Sequence, residues 1–156
     1  MIHLSIALSF IFAFSFMIVP LPNSLKWLRP DLVTIFVIYW ASNSPNNVGV
    51  FFAFFVGLFF DLLTGLPFGS MGLSLGIVAF LTMNLRLRLR IYRHWQKFMV
   101  IMLLVACSQL IRLWIQMLVG HPPASFMYWF CSITSAVVWP VVFTILRTYQ
   151  QSLKIT

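Results

Sequence analysis

Acidic side chains are almost missing: the 156-residue chain has only two, Asp31 and Asp61. That scarcity excludes most carboxylate chemistry. An intramembrane aspartyl protease needs two acids sharing one site, whereas Asp31 falls at a loop-to-helix boundary and Asp61 deep in an apolar run. Histidine is scarce too. His3, His94 and His121 lie near predicted helix ends, so no serine has a base beside it. No grouping of Cys, His and carboxylates has metal-ligand spacing, and no Gly-rich phosphate loop occurs. A non-enzymatic protein without metal or cofactor is expected. The two cysteines, Cys107 and Cys131, sit inside apolar runs, which excludes a disulfide framework. Clean alternation over ten-residue segments is absent, which excludes a β-barrel.

What the chain has in abundance is hydrophobic surface, 62% of its residues against roughly 45–50% in a soluble globular protein. Only 8% are charged. Long uncharged runs predict an all-α integral membrane protein with six transmembrane helices in a single domain, over about 3–19, 28–43, 48–64, 71–85, 98–119 and 126–147. The second run is the shortest: its apolar part, Leu32–Ala41, covers only about half of a 30 Å hydrocarbon core. Pro20 and Pro22 close the first helix, and Pro140 is expected to kink the sixth. The opening segment has no basic leader region and reads as an uncleaved helix.

The net charge of +8 fits basic loops facing an anionic membrane leaflet better than a nucleic-acid surface, for which no soluble face remains. Arg86, Arg90, Arg93 and Lys97 share one helical face, with Leu87, Ile91 and Trp95 largely opposite; Arg88 lies on the apolar side. A separate interfacial helix over 86–97 is therefore expected. Placing it in the cytoplasm, with six crossings, puts both termini inside. Arg86, Arg88, Arg90, Arg93, Lys97, Arg147 and Lys154 are then inside and only Lys26 and Arg29 outside. Trp27, Tyr92, Trp95, Tyr128 and Trp129 fall near the predicted interfaces.

Asp61 carries the sharpest local question, because an ionised carboxylate in hydrocarbon must be protonated, paired or hydrated. Gly57, Asp61, Gly65 and Gly69 recur every fourth residue, with Gly72 and Gly76 after the turn. This small-residue stripe lets another backbone approach closely, for internal packing or for docking a partner helix. Arg112 is a candidate partner for Asp61. Counting along the helices puts Asp61 about 20 Å and Arg112 about 22 Å from the same membrane face. Arg112 snorkelling to headgroups, with Asp61 neutral or capped by helix termini, is the other possibility. Gln109 and Gln116 share the face of Arg112 and extend a polar stripe that should turn toward protein.

Three stretches in order, LRPDLVTIFVIYW (28–40), GLFFDLLTGLPFG (57–69) and VVWPVVFTILR (137–147), together resemble the MreD family of bacterial rod shape-determining membrane proteins. The matched positions are Arg29, Pro30, Tyr39, Trp40, Gly57, Asp61, Gly65, Gly69, Trp139, Pro140 and Arg147. The resemblance implies a location in the bacterial inner membrane and a scaffold role in the elongation machinery that lays down side-wall peptidoglycan. The implied partners are MreC directly and, in a larger complex, MreB, RodA and the elongation penicillin-binding transpeptidase. It also implies a fold similar to the substrate-binding subunits of energy-coupling-factor transporters. By that analogy, a small-molecule or lipid-binding transport subunit is the second reading, with Asp61 and the Gln109–Arg112–Gln116 stripe lining its pocket.

Overall fold

Proline, glycine and one aspartate decide where the helices begin and end. The computed structural model describes residues 2–20, 22–24, 30–44, 46–65, 67–120 and 126–152. Lys26, Trp27, Arg29, His121 and Lys154 lie outside the described residues. Helix α1 (Ile2–Ile18) stops ahead of Pro20, and α2 (Leu32–Asn43) begins at Asp31. That side chain caps α2 by accepting from Thr34 N at 3.3 Å and Thr34 Oγ1 at 2.7 Å. Helix α3 (Val50–Thr64) ends at Gly65, whose φ of 66° is left-handed, and Gly69, with φ of 90°, precedes α4 (Ser70–Ile91). Helix α5 (His94–Leu118) follows, then a 3₁₀ turn (Phe126–Trp129) and α6 (Phe130–Ser152), which runs as one helix across Pro140.

The fold is all-α with six α-helices among the described residues, but the expectation of six transmembrane helices is overturned. Among the described residues only α4, α5 and α6, with 22, 25 and 23 residues, are long and apolar enough to cross a membrane. Helices α1, α2 and α3 have 17, 12 and 15 residues. At 1.5 Å per residue α2 measures about 18 Å and α3 about 22 Å, short of a ~30 Å hydrocarbon core. Helix α2 begins at Leu32, directly after the Asp31 cap rather than near residue 28, and left-handed Gly65 ends α3 at Thr64, so flanking residues lengthen neither helix. Three long apolar helices remain consistent with a multi-pass membrane location.

The separate interfacial helix over 86–97 is also absent. Arginine and leucine are good helix formers, so α4 continues through Arg86, Arg88 and Arg90 to Ile91. The chain breaks at extended Tyr92, and Arg93 N donates to Gln96 Oε1 at 3.2 Å as α5 starts. Lys97 then sits in the first turn of α5.

Every residue of α2 from Leu32 to Ala41 is buried, so this helix is the axis of the bundle. Around it pack Ile6, Phe10 and Ala13 of α1, Met71, Leu75 and Ala79 of α4, and Val142 and Leu146 of α6. A second core joins Ile38 to Val78, Ile101, Leu104 and Val105 on the α5 side. Apolar side chains also crowd the outside: Phe51 is 81% exposed and Leu103 64%. A surface of this kind belongs against lipid or a partner helix rather than water.

Helices α3 and α4 form the tightest hairpin, and Gly57 is the reason. A Cβ built on Gly57 would lie 2.5 Å from Gly72 Cα and 2.7 Å from the Met71 carbonyl carbon, both backbone atoms that cannot step aside. The glycine stripe is thus consumed by this chain's own packing at Gly57 and Gly72. Gly76 differs, because an added Cβ there would meet Phe54 at an ordinary 3.8 Å. We therefore expect Gly57→Ala to destabilise by about 1–3 kcal/mol through overpacking. Gly76→Ala should be neutral or stabilising by up to ~1 kcal/mol, as expected when a helical glycine is replaced without strain. Reversible unfolding in mild detergent measures both, and equal effects would contradict the close-approach account.

Candidate functional site

The buried end of α2 forces a charge into the core. Asp31 is the N-cap of a helix that is buried all round, and it is itself only 1% exposed. A carboxylate there needs a cation or several donors. Arg112 of α5 supplies the cation: its Nη2 forms an ion pair with Asp31 Oδ2. The rest of the guanidinium is held as well. Nη2 donates to Ser108 Oγ at 3.1 Å, Nε to Ser108 O at 3.4 Å and Nη1 to Met71 Sδ at 3.3 Å. On the α6 side, Asp31 N donates to Ser135 Oγ at 2.8 Å, and Ser135 Oγ donates to Cys131 O at 2.7 Å. One acid thus ties α2 to α5 and α6. Tyr128, in the turn ahead of α6, lies close enough to feel both charges. Burial pushes its phenol above the usual tyrosine value although Arg112 pulls the other way, so it stays neutral.

Asp61 solves its own burial differently. From the last turn of α3 it reaches over the Gly65–Gly69 turn to the first turn of α4. Its carboxylate accepts from Gly69 N at 3.1 Å, Ser70 Oγ at 3.0 Å and Met71 N at 3.1 and 3.2 Å, with Gly72 N more distant at 3.4 Å. These are the orphan donors at the start of α4, where the helix dipole also favours a negative charge. The expected Asp61–Arg112 pair is therefore corrected. Asp31 holds the arginine, and Asp61 needs no cation because a helix terminus serves instead. Met71 touches both groups, its amide on Asp61 and its sulfur on Arg112.

Depth along the helices placed Asp61 and Arg112 in the same region, but it omitted Asp31, assigned to a loop boundary. A usable signal was present. Asp31 stands three residues before Thr34 at the head of a run that is apolar on every side, so a helix buried all round carries its cap inward with it. Gln109 is also buried. Its amide lies beside Cys131, and neither amide atom makes a hydrogen bond of ordinary geometry among the described residues. Gln116 is half-buried. Among the described residues no group of three or more His, Cys, Asp and Glu could hold a metal ion.

One family description, rod shape-determining protein MreD, matches residues 1–149. A curated relative, the rod shape-determining protein MreD of Haemophilus influenzae, is 27% identical over 149 residues, covering 94% of this chain and 90% of the relative. The chain belongs to the MreD family. It is thereby tied to rod-shape determination. No solved structure matches it, so the expected likeness to transporter substrate-binding subunits gains no support.

The residues that carry the resemblance to MreD proteins gather at two ends of the bundle. Half-buried Pro30 precedes the Asp31 cap, and Gly57, Asp61, Gly65 and Gly69 shape the α3–α4 turn at the same end. At the other end Tyr39 meets Phe143 edge-on at 5.7 Å and donates to Gln150 Oε1 at 2.7 Å, while Trp139 packs on Phe143 at 6.0 Å. Tyr39, Trp139, Pro140 and Arg147 border a cavity together with Arg86, Arg90 and Lys97; Arg88 and Arg93 are exposed and do not line it. Trp40 is fully buried, edge-on to Tyr39 at 5.6 Å.

Removing one partner of the Asp31–Arg112 pair should cost about 3–5 kcal/mol, because the other charge is left buried alone. In a double-mutant cycle on unfolding, Asp31→Asn and Arg112→Met should couple by at least about 2 kcal/mol, and Asp61→Asn with Arg112→Met by less than about 1 kcal/mol. A larger coupling for Asp61 would reinstate it as the arginine's partner.

Proposed function

We propose that the chain is a non-enzymatic membrane subunit of the bacterial elongation machinery. It acts as a rigid frame that binds MreC and, through it, stands with MreB, RodA and the elongation penicillin-binding transpeptidase during side-wall peptidoglycan synthesis. The reading rests on one observation: the two acids and the buried arginine are spent inside the fold. Asp31 and Arg112 neutralise each other and Asp61 is saturated by the α4 terminus. Side chains used this way lock helices together and leave no carboxylate for chemistry, while the outward surface is apolar. Membership of the MreD family supports the same reading. The transport reading draws no support from these residues, since Asp61 and Arg112 direct their hydrogen bonds to their own chain.

In the proposed orientation the basic end of the bundle faces the cytoplasm, following the excess of Arg and Lys there. Helices alternate in direction. Phe10 and Phe14 of α1 meet Phe52 and Phe59 of α3 in the same order, and the α2 head meets the heads of α4 and α6 but the tail of α5. The start of α1, the α4–α5 junction and the end of α6 therefore share that end, and both termini are assigned to the cytoplasm. The docking face we favour is the outer stripe of α3, Phe51, Phe55, Phe59 and Leu62, all exposed at helical spacing. A helix of about 22 Å matches the bilayer poorly, and a partner's membrane helix laid along it would relieve the mismatch.

Co-purification with MreC in mild detergent tests the frame. Phe51→Ser with Phe55→Ser should lower MreC recovery about tenfold, equivalent to about 1.4 kcal/mol, without shifting the unfolding of the isolated subunit. Asp61→Leu should lower both. MreC recovery unchanged in every variant would reject the binding role.

A further inference from the structure

The bundle's two ends are not alike. At the end opposite the Asp31–Arg112 pair, α2, α4, α5 and α6 enclose an open cavity of about 460 Å³. Its floor is apolar, made by Ile38, Leu89, Ile101, Trp139 and Phe143. Its rim carries Arg86 and Arg90 from α4, Lys97 from α5 and Arg147 from α6, with His94 beside them. No carboxylate side chain among the described residues borders it. The chain's two acidic side chains, Asp31 and Asp61, are both committed at the far end. Four positive charges converging on one cavity repel each other, and no acidic side chain is left to offset them. Arg86 Nε is buried and has no hydrogen-bond partner among the described residues. A donor left unmade in this way costs stability until an acceptor arrives.

We propose that this cavity binds an anionic membrane lipid. The phosphate headgroup sits among Arg86, Arg90, Lys97 and Arg147, and the first part of the acyl region lies on Trp139 and Phe143. Each half of the site requires its counterpart. Guanidinium groups match phosphate oxygens in bidentate geometry and strengthen in a low-dielectric setting. The apolar floor has nothing to offer a hydrated small anion but suits a chain that continues into the surrounding bilayer. The volume is within the roughly 300–1,000 Å³ typical of small-molecule sites, enough for a headgroup and the start of its tails. Basic pockets between helices at a membrane interface hold anionic headgroups by this same chemistry. The site is independent of MreC docking, since it lies on other helices than α3.

The test is native mass spectrometry of the full chain released from nanodiscs of phosphatidylcholine with or without phosphatidylglycerol. The wild-type chain should retain phosphatidylglycerol in preference to phosphatidylcholine, as a saturable adduct. Arg86→Gln with Arg147→Gln should reduce that retention about tenfold or more, as expected for lost charge-assisted contacts. Arg88→Gln with Arg93→Gln removes the same charge from the same junction outside the cavity and should leave retention unchanged. Equal loss in the two pairs would overturn the proposal, because general attraction to the leaflet would then explain the binding. Glycerol 3-phosphate should fail to displace the lipid. Displacement by it would also overturn the proposal, by showing a site for free phosphate rather than for lipid. A double variant that unfolds is replaced by Arg147→Gln alone, whose exposed side chain leaves the core untouched and whose retention must still fall.

Discussion

The buried ion pair between Asp31 and Arg112 is the constraint around which the bundle is arranged. It follows from the shortness of α2. A 12-residue helix buried from its first residue carries its N-terminal end into the protein, and the N–H groups of that end must be satisfied there. The Asp31 side chain caps one of them, Thr34 N, and in doing so buries a negative charge. A cation delivered by another helix neutralises that charge, and its guanidinium also reaches Ser108 and Met71 from one position. The pair therefore fixes where the tail of α5 lies relative to the head of α2. Ser135 fixes α6 through the amide of the same residue.

Asp61 shows a second way to hold a carboxylate in the same region. The two acids are not interchangeable. One faces a side-chain cation and the other a helix terminus, and Met71 stands between them as the shared contact. The glycines belong to this second arrangement. Gly57 brings the α3 backbone against α4, and left-handed Gly65 and Gly69 turn the chain tightly enough for Asp61 to reach the first α4 amides. The close hairpin and the capped carboxylate are one structural solution.

Much of this was legible in the sequence, and what was not has identifiable causes. The apolar runs located all six helices, because helix formation follows hydrophobic length and proline punctuation. They overstated how many could cross a membrane, since the runs of α1, α2 and α3 are short and no described flanking residues extend them to a full span. Gly57 lies where the α3 and α4 backbones approach closely, and Asp61 capped by helix termini was among the expected alternatives. The arginine's partner was misread because depth is a one-dimensional coordinate. Asp31 and Asp61 lie at similar depth, and only the lateral arrangement of α2 between α4, α5 and α6 decides which of them Arg112 meets. The shared helical face of Arg86, Arg90, Arg93 and Lys97 suggested a separate interfacial helix. Leucine and arginine simply extended α4 instead, and the break came at Tyr92.

Charge neutrality then separates the two ends of the molecule. Ten basic residues face two acids, and the fold spends both acids at one end. That end is self-sufficient: its charges cancel within the chain or against a helix dipole, so its geometry does not depend on the surrounding membrane. The other end cannot be self-sufficient. The C-terminal turns of α4 welcome Arg88 and Arg90 through the helix dipole, but a dipole of about half a charge cannot balance a whole cluster. The remaining anions must come from outside, and the nearest supply is the leaflet in which the cluster sits. On the proposed reading, the same scarcity of acid makes the lipid composition of the leaflet part of what completes the structure.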